Sequence, residues 1–113
     1  EIKNRHKYLL QYHIIFVCKY RKKLLMSKQI SDDIKQFSYE ICQKHKVIIR
    51  YMETDKDHIH YMIETEPTMS ISKIVNLMKS YTTYHIWKRY PDYLRNISGK
   101  NILFGRTDIL SAV

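Results

Sequence analysis

Two histidines carry the first chemical hint. In "ETDKDHIHYMIE", Glu53 to Glu64, His58 and His60 stand one residue apart in a run that alternates as a β-strand does. Successive strand side chains point to opposite faces, so His58, His60, Met62 and Glu64 share one side and Ile59, Tyr61 and Ile63 the other. The apolar set belongs in a core. The histidines then lie on the open side, where both rings can offer a nitrogen to one ion or ligand. Two imidazoles leave a catalytic metal short of ligands. Asp55, Asp57 and Glu64 are the candidates within the same segment. Two other readings compete: ordinary surface histidines, and the acid–base pair of a phosphoesterase. That second class uses two separated motifs, each a histidine with a nearby hydroxyl, and only one paired motif is present.

A second constellation is basic. "CKYRKK" brings together Lys19, Arg21, Lys22 and Lys23 around Tyr20, in a chain with 20 Lys+Arg against 11 Asp+Glu, a formal charge of +9 and a pI near 9.6. This balance points to a polyanion, either nucleic acid or a membrane surface. Cationic side chains neutralise phosphates, and an aromatic ring among them can stack a base. No apolar run is long enough to cross a bilayer, and "EIKNRHKYLLQY" lacks the apolar core of a secretory leader. Cys18 and Cys42 have no CxxC spacing and read as reduced, buried thiols of a cytoplasmic protein.

The elements that must position these residues follow from periodicity. "YHIIFVC", residues 12–18, reads as a central strand, followed by the basic loop. A helix is expected from Ser31, capped by that serine, with Asp32 and Asp33 at its positive end and Ile34, Phe37 and Ile41 on one stripe. "VIIRYME", Val47 to Glu53, and "HIHYMIET", His58 to Thr65, read as a hairpin around a "TDKD" turn. A second helix is expected from Ser70 to about Tyr90, where Pro91 ends it. Asn96 to Gly99 reads as a turn, and "NILF" as the start of a last strand. Strand, helix, strand, strand, helix, strand is the α+β, ferredoxin-like pattern: an antiparallel sheet with two helices on one face, in one domain spanning residues 1–113.

Histidine, bulky hydrophobe, histidine on a strand is the HUH arrangement. "RHKYLLQYHIIFVCKYRKKLL" followed by "VIIRYMETDKDHIHYMIETEP" resembles the single-tyrosine HUH transposases of the insertion-sequence family 200/605. The helix "SISKIVNLMKSYTTYHIWKRYP" resembles the one that follows in that family, so the likeness reaches to about Tyr93. The resemblance implies a ferredoxin-like homodimer in the cytoplasm, acting at the nucleoid on single-stranded DNA and recognising DNA hairpins at element ends. It implies that His58 and His60, with one further polar side chain, hold Mg²⁺ or Mn²⁺, which polarises the scissile phosphate. A tyrosine attacks, leaving a 5′-phosphotyrosine link and a free 3′ hydroxyl. It implies DNA contacts for Arg5, His6, Lys19, Tyr20, Arg21, Lys22 and Lys23.

The chain departs from the family at its end. There the nucleophilic tyrosine and the third metal ligand lie on a helix beyond a final strand. None of the ten tyrosines stands in that context, and Tyr81 and Tyr84 lie on the preceding helix. Synonymous codons exist for which "KNILFGRTDILSAV", read from the third nucleotide, gives E-Y-F-I-W-P-D-G-Y-F-V-C-S, which matches the family's strand. Residues 101–113 are therefore read as an out-of-frame tail. The expected product keeps the histidines but has no nucleophile, binds DNA hairpins weakly or not at all, and does not cleave. Two other readings stand beside this one. One is a non-catalytic DNA- or RNA-binding ferredoxin-like module stacking bases on Tyr12, Tyr51 and Tyr61. The other is a small-molecule phosphoesterase, which the positive charge disfavours.

Overall fold

A computed structural model describes residues 8–98 and 102–111. Its first strand, β1, runs Leu10–Cys18, where β-branched and aromatic side chains dominate. The remaining elements are α1 (Lys28–Lys44), β2 (Ile48–Asp55), β3 (His58–Thr65), α2 (Ile71–Arg89), α3 (Pro91–Ser98) and β4 (Phe104–Ser111). The strands form one sheet in the order β2-β3-β1-β4, every neighbouring pair antiparallel. This is the ferredoxin-like order expected from the sequence, with β1 and β3 central.

Strand alternation decides what each sheet face does. Ile14 and Phe16 of β1 and Ile59, Tyr61 and Ile63 of β3 are fully buried under the helices. Against them pack Ile30, Ile34, Phe37 and Ile41 of α1, and Ile74, Val75, Met78 and Ile86 of α2. Each such side chain contributes about 1.5–3 kcal/mol on burial, so this face holds the fold together. Ser38 of α1 and Tyr61 of β3, both without solvent exposure, share a hydrogen bond of 2.7 Å between their hydroxyls.

Several boundaries differ from expectation. α1 starts one turn earlier than Ser31: Ser27 is its cap, accepting the Ile30 N–H at 3.2 Å. The earlier start brings Ile30 onto the stripe of Ile34, Phe37 and Ile41. Ser31 is instead buried inside the helix, its hydroxyl 2.8 Å from that of Thr54. The hairpin turn shrinks to Lys56 and Asp57, because Asp55 still pairs with His58. α2 keeps Ser70 as its cap and ends before Pro91 as expected. Pro91, however, opens α3 as its first residue, a position where its missing N–H costs nothing. Asn96 to Ser98 are thus helical rather than a turn, with Leu94 buried beneath them; Gly99 lies outside the described residues. The last strand forms, and pairs with β1 from Phe104 onwards.

Candidate metal and nucleic-acid site

β3 presents His58 and His60 on the face the helices leave open, as its alternation requires. The neighbouring strands fill that face around them. By register, His60 stands opposite Glu53 of β2 and Ile15 of β1, and His58 opposite Asp55 and Val17. Glu53, Thr54, Asp55, His58 and His60 line a depression of about 350 Å³.

Each histidine has one ring nitrogen engaged. His58 Nδ1 lies 3.0 Å from Asp57 Oδ1. The hydrogen bond from His58, then Arg21, hold the Asp57 carboxyl below its usual range. It is therefore the acceptor, and His58 Nδ1 donates to it. His60 Nε2 lies 3.0 Å from Nδ1 of His13, which projects from β1 onto the same face. Partial burial, then His13, with Glu53 opposing and His58 adding to it, lowers the His60 pKa, which favours a neutral ring with a lone pair to offer.

The basic loop is tied to this hairpin. Cys18 N–H donates to the Asp57 carbonyl at 2.8 Å and Leu25 N–H to the Lys56 carbonyl at 3.0 Å. Arg21 Nε adds an ion pair to Asp57 Oδ2 at 3.3 Å. A continuous chain therefore runs Arg21–Asp57–His58. Tyr20 and Arg21 both adopt left-handed backbone conformations, φ 57° and 54°, costing of order 1–2 kcal/mol per residue. The turn leaves Tyr20 three-quarters exposed with Lys19 Nζ 5.2 Å from its ring centroid. Lys22 and Lys23 are exposed beside it. Gly105 of β4 lies against the loop, at the ordinary contact distance a Cβ would make with Lys19. Arg5 and His6 lie outside the described residues.

The other candidates separate. Glu64 is buried and bound by Arg50 Nε at 2.7 Å and Gln11 Nε2 at 2.6 Å, which keep its carboxyl pKa low. It is occupied away from the histidines, and Asp57 already serves His58. Asp55 lines the depression while accepting the Lys56 N–H. Among the described residues, no three His, Cys, Asp or Glu side chains converge as a ready metal cage. Tyr81 donates to Glu40 at 2.9 Å and Tyr84 is exposed under Lys88, both on α2 across the sheet from the histidines.

One residue of the face, His13, was missed in the sequence, and Tyr51 was read there only as a base-stacking ring. His13 carries no motif signal, because only the β1–β3 register brings it to His60. Tyr51 stands with its ring 5.3 Å from that of His60 and its hydroxyl donating to Glu53 at 2.5 Å. That hydrogen bond, with partial desolvation, raises the phenol pKa.

A family profile described as "Transposase IS200 like" matches residues 6–107. The chain belongs to the IS200-like transposase family. Relatives share the pattern at low identity. The ISDra2 transposase TnpA of Deinococcus radiodurans is 26 % identical over 84 % of this chain and 67 % of its own length. The transposase of insertion sequence element IS200 from Salmonella typhimurium is 27 % identical over 73 % of this chain. The match spans about half of that relative, 53 % of its length. Among solved structures, a D. radiodurans R1 protein assigned as a transposase superposes with TM-score 0.86 at 22 % identity, over all of this chain and 87 % of that one. A REP-associated tyrosine transposase bound to a REP hairpin superposes with TM-score 0.65 at 14 % identity, over all of this chain and 63 % of that one. Among the described residues of this IS200-like transposase, no helix is long and apolar enough to cross a membrane.

Proposed function

We propose that this IS200-like transposase is built to act on single-stranded DNA near hairpins at the ends of an insertion sequence, as a homodimer, with Mg²⁺ or Mn²⁺ held at His58 and His60. The observation that carries the reading is the Arg21–Asp57–His58 chain, which couples the basic loop to the histidine pair within a chain matched by the family along most of its length. A transposase of similar fold was solved with a REP hairpin bound, which supports hairpin DNA as the partner class.

The donor types along the depression, imidazole nitrogen and carboxylate oxygen, are ones a divalent ion accepts, although no three of them converge among the described residues. Among the described residues, His58 and His60 each have one ring nitrogen in a hydrogen bond and the other without one, and Glu53 and Asp55 line the same depression. Mn²⁺ suits this mixture better than Mg²⁺, which prefers oxygen. When bound, the ion would polarise a scissile phosphate. The chain's own part is to bind and orient. Lys19, Arg21, Lys22 and Lys23 neutralise backbone phosphates, and Tyr20 offers an exposed ring to an unpaired base. Asp57 fixes the His58 ring and links it to Arg21.

Among the described residues, no tyrosine lies on an element after β4. Tyr51 is the phenol beside His60, but its proton is held by Glu53 and its pKa is raised, so it is a poor nucleophile. We read residues 101–113 as out-of-frame sequence. The stacking-platform reading loses two of its three rings, because Tyr61 is fully buried on the helix face and Tyr12 lies half-buried on the same side; Tyr51 alone is exposed on the open face.

Labelled single-stranded element ends incubated with the protein and Mn²⁺ test the proposal. Weak, salt-sensitive binding without a covalent adduct is expected. A covalent protein–DNA adduct would overturn the loss of cleavage, and sequencing the gene past codon 100 decides the frame.

A further inference from the structure

We propose that the cleft between α2 and α3 is a second contact for single-stranded DNA, one that takes an unpaired nucleotide on the helix side of the sheet. The inference rests on the reading of this chain as one that acts on single-stranded DNA. The cleft holds about 750 Å³ and is walled by Lys79, Tyr84, Trp87 and Lys88 of α2 and by Arg95 of α3, over a floor of Leu103 and Phe104. That volume suits a ligand the size of a nucleotide. The core uses one stripe of α2, Ile74, Val75, Met78, Thr82 and Ile86. Tyr84, Trp87 and Lys88 are spaced by three and four residues on a different side of the helix. Tyr84 is 62 % exposed, with Lys88 Nζ 5.8 Å from its ring centroid. An exposed ring beside a cation offers the two contacts a nucleotide needs, a stacking face for the base and a charge for the phosphate. Lys79 and Arg95 add two cations, and among the described residues no carboxylate lines the cleft. Lys79 is tethered there, its Nζ donating to Thr107 of β4 at 3.0 Å. Asp92 lies 3.2 Å from Arg95, but both side chains are exposed, and such a pair holds its cation weakly.

The cleft is joined to the basic loop. Lys19 N–H donates to the Leu103 carbonyl at 2.9 Å, and Phe104 pairs with Cys18. The floor of the cleft is therefore also the seat of the loop, at the β4 edge of the sheet. A single strand whose phosphates are neutralised by Lys22 and Lys23 reaches Lys79 and Lys88 by rounding that edge, on the side away from the histidines. The rings and charges that meet the nucleotide come from α2 and α3, ahead of residue 101, and the tie to Lys19 is a backbone bond. The contact is thus independent of the reading frame of the tail.

Trp87 is the single tryptophan of the chain, so its fluorescence reports on the cleft. An oligothymidylate of about 16 nucleotides, titrated into the full chain at low salt, should quench it. Tyr84→Ala should weaken binding about 10-fold and remove most of the quench, whereas Tyr84→Phe, which keeps the ring, should bind as the wild type does. Lys88→Ala should lower the log–log salt slope by roughly 0.7. Circular dichroism checks that each variant stays folded. Equal affinities for wild type and Tyr84→Ala, or an unresponsive Trp87 in wild type that has bound DNA, would overturn the cleft while leaving the DNA reading intact. Tighter binding of an oligouridylate of the same length would overturn the assignment to DNA. Failure of the wild type to bind either oligonucleotide would overturn the DNA reading and the cleft with it.

Discussion

The facing of β3 puts the histidines where they can act, and the Ser38–Tyr61 hydrogen bond tests that facing. Tyr61 is one residue from His60, so if its hydroxyl is locked under α1, the histidine must point the other way. Tyr61→Phe leaves the Ser38 hydroxyl buried without its partner, and Ser38→Ala does the same to the Tyr61 hydroxyl. Leaving a buried polar group unpaired costs about 1–3 kcal/mol, so each single variant should lose about 1.5 kcal/mol. With a urea dependence of roughly 1.5 kcal/mol per molar for a domain of this size, the unfolding midpoint should fall by about 1 M. The double variant removes both polar groups and should cost about as much as one single variant, a coupling of about 1.5 kcal/mol. Urea unfolding followed by circular dichroism on all four proteins gives the cycle. Additivity to within about 0.5 kcal/mol would show that the hydroxyls do not meet, and would remove the structural ground for placing His58 and His60 on the open face.

Three further outcomes are expected. Asp57→Ala takes away the acceptor that fixes the His58 tautomer, and should weaken Mn²⁺ binding by roughly 10- to 100-fold in calorimetric titration; unchanged affinity would contradict the Arg21–Asp57–His58 arrangement. Replacing Lys22 and Lys23 by Ala should flatten the salt dependence of single-stranded DNA binding, by roughly 0.7 in log–log slope for each phosphate that is no longer neutralised, as read by fluorescence anisotropy at low salt. Cys18 and Cys42, whose thiols burial pushes up to about 12, should resist a thiol reagent at mildly alkaline pH in the native protein and react once urea unfolds it. Fast labelling without unfolding would place them outside the core.

The fold was legible because its signals are local. Alternation fixed the faces of "HIHYMIET", Ser70 marked the start of α2, and the strand–helix order pointed to the ferredoxin-like sheet. Where local signals were degenerate the reading slipped. Ser27 and Ser31 are equally good caps, and only burial of Ile30 chooses the first. Pro91 is both a stop for one helix and a start for the next, and the sequence shows the stop more plainly.

The site divides along the same line. His58 and His60 share a strand, so their common face follows from a period of two residues. The partners that set their chemistry lie elsewhere in the chain. His13 is 47 residues from His60, and Arg21 is 36 from Asp57. Nothing in "YHIIFVC" distinguishes His13 from any other strand histidine until β1 is laid beside β3, with Ile15 opposite His60. Arg21 likewise reads only as one cation among several until the left-handed turn at Tyr20 and Arg21 brings it to the hairpin. A strained backbone persists only where its surroundings hold it. Here the backbone bonds from Cys18 and Leu25 to the Asp57 and Lys56 carbonyls do so. Local periodicity puts the two histidines on one face, and the long-range pairing of the sheet determines which partner His60 meets there.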